Sequence, residues 1–423
     1  MVFVVGCGPS PPPRFSANDV EWLKQEKMAF GENEVYSSKL KQEVADSMKA
    51  LFGTPDHARI PFENIEQLVD LQNLKLSAGA VASDRNGTPQ GLYREHCAQC
   101  HGVSGNGAGP NAAILAPYPR DFRLGKFKFK STAQRQPPTD EDLRKILVHG
   151  IPGTAMPSFQ LLPEEEIVAL IDYVKYLSIR GQFERYLLSE AESLSGETFF
   201  ANESERSELL KNNIPDEADP LTDDLGQRLS SAETGSQKLL QHFQAQFPGL
   251  LKEQFSEYVT DRWAQVNQQA TQQLSPPVWL TQKSEPLFRE KLQLGKQLFL
   301  GKGACYQCHG EDGSGMGTLV GYDDWTNDWM KSPGVNMNDE KVADAFVKAG
   351  AHRPVLARPR NLNQQVYRGG GRPSDLFLRI TNGIEGSPMP AASSLSDEEV
   401  WSLVALVLEI PNSPQLLDGE GKQ

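Results

Sequence analysis

Cys97-Ala98-Gln99-Cys100-His101 returns 208 residues later as Cys305-Tyr306-Gln307-Cys308-His309. The two stretches share the pattern C-x-x-C-H and use four of the chain's five cysteines. Reading outward, the match continues without a gap. His101 to Gly109 and His309 to Gly317 both spell H-G-x-x-G-x-G-x-G. Further on, Pro119-Arg120-Asp121-Phe122 matches Pro359-Arg360-Asn361-Leu362. A longer match then runs at a constant offset of 233, from Asp142-Leu143 and Asp375-Leu376 to Glu165-Glu166-Ile167 and Glu398-Glu399-Val400. Inside it, Gly150-Ile151-Pro152-Gly153-Thr154-Ala155-Met156-Pro157 pairs with Gly383-Ile384-Glu385-Gly386-Ser387-Pro388-Met389-Pro390. The second copy therefore carries 25 more residues between its Cys motif and its Met loop, among them Trp325 and Trp329. A self-match of this length is an internal repeat.

In C-x-x-C-H, two thiols one helical turn apart can add to the vinyl groups of one porphyrin edge. The adjacent His then falls on the iron's proximal side. Cys97 and Cys100, and Cys305 and Cys308, are thus candidate covalent attachment points, with His101 and His309 as axial ligands. Two C-x-x-C pairs could instead share a four-thiolate zinc. Here they are about 200 residues apart in separate repeats, and each carries the His. A thioredoxin-like motif needs a βαβ context that is missing. For the sixth ligand, Met156 and Met389 occupy the same place in both repeats, each in a Gly- and Pro-bracketed loop before a helix. A soft thioether there favours ferrous iron and raises the potential. Met316 competes weakly in the second repeat, since its counterpart is Ala108. His149 corresponds to Asn382, which argues against a ligand role, while His96 and His352 lie near the motifs and stay open. Arg120 and Arg360 are placed to make bidentate bonds to haem propionates, and Tyr118 and Tyr367 could add hydroxyl donors.

The flanks are less specific. A chain of 423 residues is too long for one ordinary core. Its longest apolar run near a terminus, Trp401 to Leu408, falls far short of the roughly 20 residues of a spanning helix. A net charge of −13 argues against a nucleic-acid partner. Residues 1–17 resemble the end of a bacterial lipoprotein signal with a Pro-rich spacer, which makes Cys7 a candidate lipid-attachment site. Residues 18–83 read as a helical segment, with Leu40, Val44, Met48 and Leu51 on one face until Gly53-Thr54-Pro55 breaks the pattern. Residues 84–180 and 285–412 are the compact repeats. Between them, 181–284 is a connector. From Glu184 to Asp224 it holds 12 acidic and 3 basic residues, the mark of a solvated or loosely ordered face. From Leu240 to Val266 it carries an apolar helical stripe expected to pack on a repeat, or else to dock a partner. Residues 413–423 are an acidic tail.

On the C-x-x-C-H motifs and Met loops, each repeat resembles a class I cytochrome c domain, and the pair resembles a dihaem cytochrome c. The resemblance covers about half the chain. It implies a mainly α fold, with two class I-like helical domains plus a helical N-terminal segment and a helical, acidic connector. It also implies two covalently bound haem c groups with His/Met ligation, and electron relay outside the cytoplasm, in the periplasm of a bacterium. Partners would be other redox proteins: a quinol-oxidising complex or dehydrogenase upstream, a terminal oxidase or reductase downstream. The membrane would be touched only through a lipid anchor on Cys7. The expected role is an electron carrier and not an enzyme. Two alternatives stand beside it. One is a peroxidase-like dihaem enzyme, which needs one displaceable distal ligand. The other is a haem-bearing docking subunit whose connector carries the role.

Overall fold

The computed structural model describes residues 13–30, 38–61, 67–79, 91–193, 199–211, 237–247, 259–269, 274–333, 335–336 and 339–417. The chain is mostly helical. Its main helices are α1 (Asp19–Phe30), α2 (Ser38–Phe52), α3 (Leu71–Ser77), α4 (Leu92–His96), α5 (Ala98–His101), α6 (Asp140–His149) and α7 (Glu164–Ser193). They continue as α8 (Glu203–Lys211), α9 (Asp261–Gln269), α10 (Leu287–Leu300), α11 (Tyr306–His309), α12 (Glu340–Lys348), α13 (Pro373–Asn382) and α14 (Asp397–Glu409). Two short strands, β1 (Gly321–Tyr322) and β2 (Leu356–Ala357), pair antiparallel with Gly321 opposite Ala357. No helix among the described residues is long and apolar enough to cross a membrane.

The chain divides into two compact units. The first takes Met1–Ile114, Tyr118–Leu124 and Val168–Asp261; the second takes Leu115–Pro117, Gly125–Ile167 and Arg262–Gln423. This division does not follow the repeats. Residues 125–167, which carry the Met156 loop, pack with the second unit although the sequence places them in the first repeat.

In the first unit, α2 buries Leu40, Val44, Met48 and Leu51, the four residues of its apolar face. It ends at Phe52, where Gly53 turns left-handed with φ +74°. The later turns of α7 are the spine of this unit. Tyr173 stacks at a tilt on Tyr93, 4.8 Å between centroids, just ahead of the first Cys motif. One turn on, Tyr176 packs on Phe52 and donates its hydroxyl to the Phe52 carbonyl. The N-terminal segment and the first motif thus share one buried aromatic row.

The acidic stretch after residue 180 behaves differently from its composition. Helix α7 runs unbroken to Ser193, burying Phe183, Leu187 and Leu188. Glu184 is only 2% exposed. It accepts from the Asn18 backbone at 2.9 Å and pairs with Arg180 at 3.2 Å. So 184–190 is buried or half-buried and not a solvated face, because its first acid is matched by a cation and a backbone donor. Residues 212–224 lie outside the described residues. The apolar stripe divides in two. Phe243 and Phe247 pack edge-on against Phe199, whose N–H donates to Glu43 of α2. In the second unit, Trp263 of α9 packs edge-on against Phe127. Leu251, Phe255 and Tyr258 lie outside the described residues.

In the second unit, α10 crosses α14 at Gly295, where an added Cβ would fall 2.2 Å from the Ser402 carbonyl oxygen. Glycine lets two backbones touch, and Leu298, Phe299, Leu403, Val404 and Leu406 close around the crossing. Helix α13 joins through Phe377 on Trp401, 4.4 Å between centroids. Helix starts follow their sequence signals. Thr139 with Asp142 and Ser396 with Glu399 form reciprocal capping boxes on α6 and α14. The additional residues of the second repeat form β1, β2 and α12, with Trp329 stacked on Phe346 at 4.8 Å.

Candidate haem sites

The proximal sides of the two repeats are built alike, bond for bond. In each, the second Cys and the His form one short helical turn that ends at a left-handed glycine, Gly102 or Gly310. The chain then folds back on the motif. Gly107 N–H donates to the His101 carbonyl at 2.9 Å, and Gly315 N–H to the His309 carbonyl at 2.7 Å. Gly109 and Gly317 donate in the same way to the Cys100 and Cys308 carbonyls. Phe122 and Leu362 close the loop by donating to the Gly105 and Gly313 carbonyls.

The reason for these glycines lies in what they admit. Gly107 and Gly315 have φ +71° and +80°, and an added Cβ would meet the Pro119 or Pro359 carbonyl at 2.6 or 2.7 Å. The Pro-Arg segment can therefore lie directly against the His. There His101 Nδ1 sits 3.0 Å from the Arg120 carbonyl, and His309 Nδ1 sits 3.2 Å from the Arg360 carbonyl. A carbonyl only accepts, so Nδ1 carries the proton and Nε2 presents its lone pair. Burial lowers both histidines below the ordinary imidazole value, against the upward pull of that hydrogen bond. Each ring is thus neutral, oriented and ready to ligate through Nε2.

None of Cys97, Cys100, Cys305 and Cys308 is in a disulfide. Burial pushes the Cys97 thiol up to about 12 and the Cys305 thiol to about 11. In this unliganded fold both are held as thiols.

The Met loops also correspond atom for atom. Ile151 and Ile384 donate to the Met156 and Met389 carbonyls at 3.2 and 3.1 Å. Thr154 and Ser387 bond their hydroxyls back to the Ile151 and Ile384 carbonyls, and accept from the Met156 and Met389 N–H groups. Gly150, Gly153, Gly383 and Gly386 all have positive φ. A threonine and a serine are interchangeable here because only the hydroxyl is used. Cys97, Cys100 and His101 lie in the first compact unit and Met156 in the second, whereas all the second-repeat candidates lie in the second unit.

The second site offers a test of fit for a porphyrin. Leu319 N–H donates to the Gln307 carbonyl inside the Cys motif, at 2.8 Å. Two residues on, Gly321 lies against Pro388, the neighbour of Met389. At and beside these anchors Leu319, Val320 and Tyr322 stand 53%, 57% and 45% exposed. An apolar row left bare between the proximal motif and the distal loop suits the face of a flat apolar macrocycle. Together with paired free thiols and a free Nε2, it fits a covalently attached haem.

The remaining candidates divide. Arg120 and Arg360 lend backbone carbonyls to the histidines, a use the residue type could not signal because every residue has that carbonyl. Tyr367 donates its hydroxyl to the Val407 carbonyl of α14 at 3.0 Å, so its one proton is committed there and not to a propionate. Tyr118 is half-buried in the first unit. Met316 is 71% exposed. His242 is a satisfied packing residue, its Nε2 2.8 Å from the Phe199 carbonyl. His352 lends its carbonyl to Trp329 Nε1. Cys7 lies outside the described residues. Sequence reasoning missed Arg368, which donates from Nη2 to the Gly153 carbonyl at 3.1 Å. It lies between the Pro-Arg segment and the Met-loop match, where the offset between the repeats changes and no motif marks it.

Comparison with known proteins bears on the first repeat. None of the curated proteins matches the chain. A chain of the reducing HAO-like protein complex of Kuenenia stuttgartiensis is 21% identical, over 75% of this chain and 93% of that one, with a TM-score of 0.40. Residues 89–178 match the family model for cytochrome c. That stretch holds Cys97, Cys100, His101 and Met156, and it is a cytochrome c domain.

Proposed function

We propose that this chain is a two-haem c-type cytochrome that relays single electrons between exported redox partners. The cytochrome c domain at 89–178 supports one covalently bound haem c and a role in electron transfer. The second haem rests on one observation. The hydrogen bonds that orient His101 are repeated at His309, donor by donor, down to the carbonyl of the paired arginine. The same histidine orientation beside the same pair of free thiols in both repeats supports a second group like the first.

When bound, haem c supplies a one-electron ferric/ferrous couple. The residues have defined parts in that reading. Cys97 and Cys100 tether one group, and Cys305 and Cys308 the other. His101 and His309 would ligate the iron through Nε2, each held by its carbonyl. Met156 and Met389 would close the distal positions, presented by the Thr154 and Ser387 turns. Distal positions closed by both loops would favour outer-sphere transfer over peroxide chemistry, which needs an open site.

The partners in this proposal are a quinol-oxidising complex or dehydrogenase as donor and a terminal oxidase or reductase as acceptor. The site of action is the periplasm, with Cys7 carrying a lipid anchor.

The test is to produce the chain in a host that attaches haem c and to measure its mass and its absorption spectrum. Two covalent additions are expected, both low-spin. One addition, lost on changing Cys97 and Cys100 to Ala but kept on changing Cys305 and Cys308, would refute the two-haem reading. High-spin iron with peroxide turnover would replace the relay with the enzyme.

A further inference from the structure

The Met156 loop, part of the first repeat, is bound within the second compact unit by residues of the second repeat. Arg368 Nη2 donates to the Gly153 carbonyl at 3.1 Å. A Cβ placed on Gly153 would meet Arg360 Nη1 at 3.2 Å and Val366 at 3.3 Å. Arg360 in turn accepts from His309 Nδ1 through its carbonyl at 3.2 Å. Two contacts therefore lead from the loop of the candidate sixth ligand in one repeat to the proximal histidine of the other. The surroundings hold this junction still. Lys128 pairs with Asp323, and Lys130 with Glu385 of the Met389 loop. The Arg379 guanidinium lies over Phe129, 5.1 Å from its centroid, and Asn382 donates to the Ser131 carbonyl at 2.9 Å.

The junction is also electrostatically uneven. The Arg368 guanidinium is pulled down first by burial, then by the neighbouring charge of Arg360, with Asp323 pushing back. Arg368 Nε is buried with no hydrogen-bond partner. Two cations beside each other, with one donor unused, make a place where a change of charge nearby is strongly felt.

We infer that Gly153, Arg360 and Arg368 form the junction that couples the two haem sites, with Arg368 as the positioning residue that fixes the Met156 loop. This rests on the two-haem reading. With both groups bound, an electron passing between them would oxidise one iron and reduce the other. No bond is made or broken and no proton moves. The charge gained at one site is felt at the other across the arginine pair. Losing the Arg368 bond frees the Met156 loop while leaving the second repeat's His309–Arg360 bond in place.

The experiment is a spectroscopic redox titration of the two-haem protein, with wild type, Arg368→Leu, Arg368→Lys and Gly153→Ala compared. Gly153 has φ +69°, so alanine strains the loop from the opposite side of the same contact. Both Arg368→Leu and Gly153→Ala are expected to shift the redox equilibrium between the haems at least fivefold, about the lower end of ordinary coupling between linked sites. They should also weaken the sulfur-to-iron band of one haem only. Arg368→Lys, which can still donate to the Gly153 carbonyl, should recover most of both. Wild-type equilibrium and spectra in Arg368→Leu and Gly153→Ala, each carrying two haems, would overturn the inference and leave the relay standing. A wild-type protein with a single haem would remove the relay itself.

Discussion

Gly295 is the residue on which the second unit's helix crossing depends, and Gly295→Ala tests it. In an exposed helix the change would stabilise by roughly 0.8–1 kcal/mol, because alanine has less backbone freedom to lose. Here the new Cβ lands 2.2 Å from the Ser402 carbonyl oxygen, 2.9 Å from its carbon and 3.2 Å from Leu406 Cβ. Two of these three are backbone atoms, which cannot rotate aside. Ordinary packing begins near 3.4 Å, so the helices must part by about 1 Å. That separation loosens Leu298 and Phe299 from Leu403 and Val404, all less than 5% exposed. Overpacking of this kind costs about 1–3 kcal/mol. Because the obstructing atoms are backbone, the upper half of that range applies, and with the propensity gain set against it the net loss should be about 1–2 kcal/mol, which is a fall of a few degrees in unfolding temperature. The assay is thermal unfolding of the haem-loaded protein, followed by far-ultraviolet circular dichroism and by the haem spectrum. Gln293→Ala, an exposed position two residues earlier, is the control and should change little. If Gly295→Ala matched or exceeded the wild type, close backbone contact at the crossing would be refuted.

Other outcomes follow from the same geometry. Gly315→Ala sets a Cβ 2.7 Å from the Pro359 carbonyl at φ +80°, which should cost roughly 1–3 kcal/mol and displace the Arg360 carbonyl from His309. The check is the second haem's ligand-field spectrum, which should change more than the first haem's. Replacing Met389 by Leu should remove the thioether from one haem and lower its midpoint potential, and Met156→Leu should do the same to the other; titration of each variant reads this directly. Glu21 is raised by burial but carried lower overall by Arg185 and Lys24, so its carboxyl ends below the ordinary 4.5. A depressed acid stabilises the fold above its unfolded value and loses that contribution as the pH falls through its folded one. Glu21→Gln should thus cost about 1–3 kcal/mol at neutral pH, with the difference from wild type closing below pH 4.5 in denaturation curves.

What the sequence made legible was side-chain chemistry with a fixed spacing. C-x-x-C-H and the Met loops are recognisable because thiols, imidazole and thioether do things other side chains cannot. The amphipathic face of α2 was legible for a similar reason: period and burial agree at Leu40, Val44, Met48 and Leu51. The H-G-x-x-G-x-G-x-G run was visible as a pattern, but its purpose was not. Only the folded chain shows Gly107 and Gly315 making room for a carbonyl.

Backbone use and charge matching are where composition falls silent. The repeated Pro-Arg pair drew attention to two guanidiniums, yet the shared contact runs through the carbonyl, an atom that carries no residue identity. The acid count after residue 180 pointed to solvent, yet Glu184 is held by Arg180 four residues earlier in the same helix and by the backbone of Asn18, 166 residues away. A count of charges cannot tell a solvated acid from a paired one, since pairing depends on which distant donor the fold delivers. The same argument applies to Arg368. Nothing in its neighbourhood of sequence distinguishes it from other arginines, and its partner is a carbonyl 215 residues earlier. Repeats announce what two sites have in common; what joins them to each other is by nature unrepeated, and has to be found in the fold.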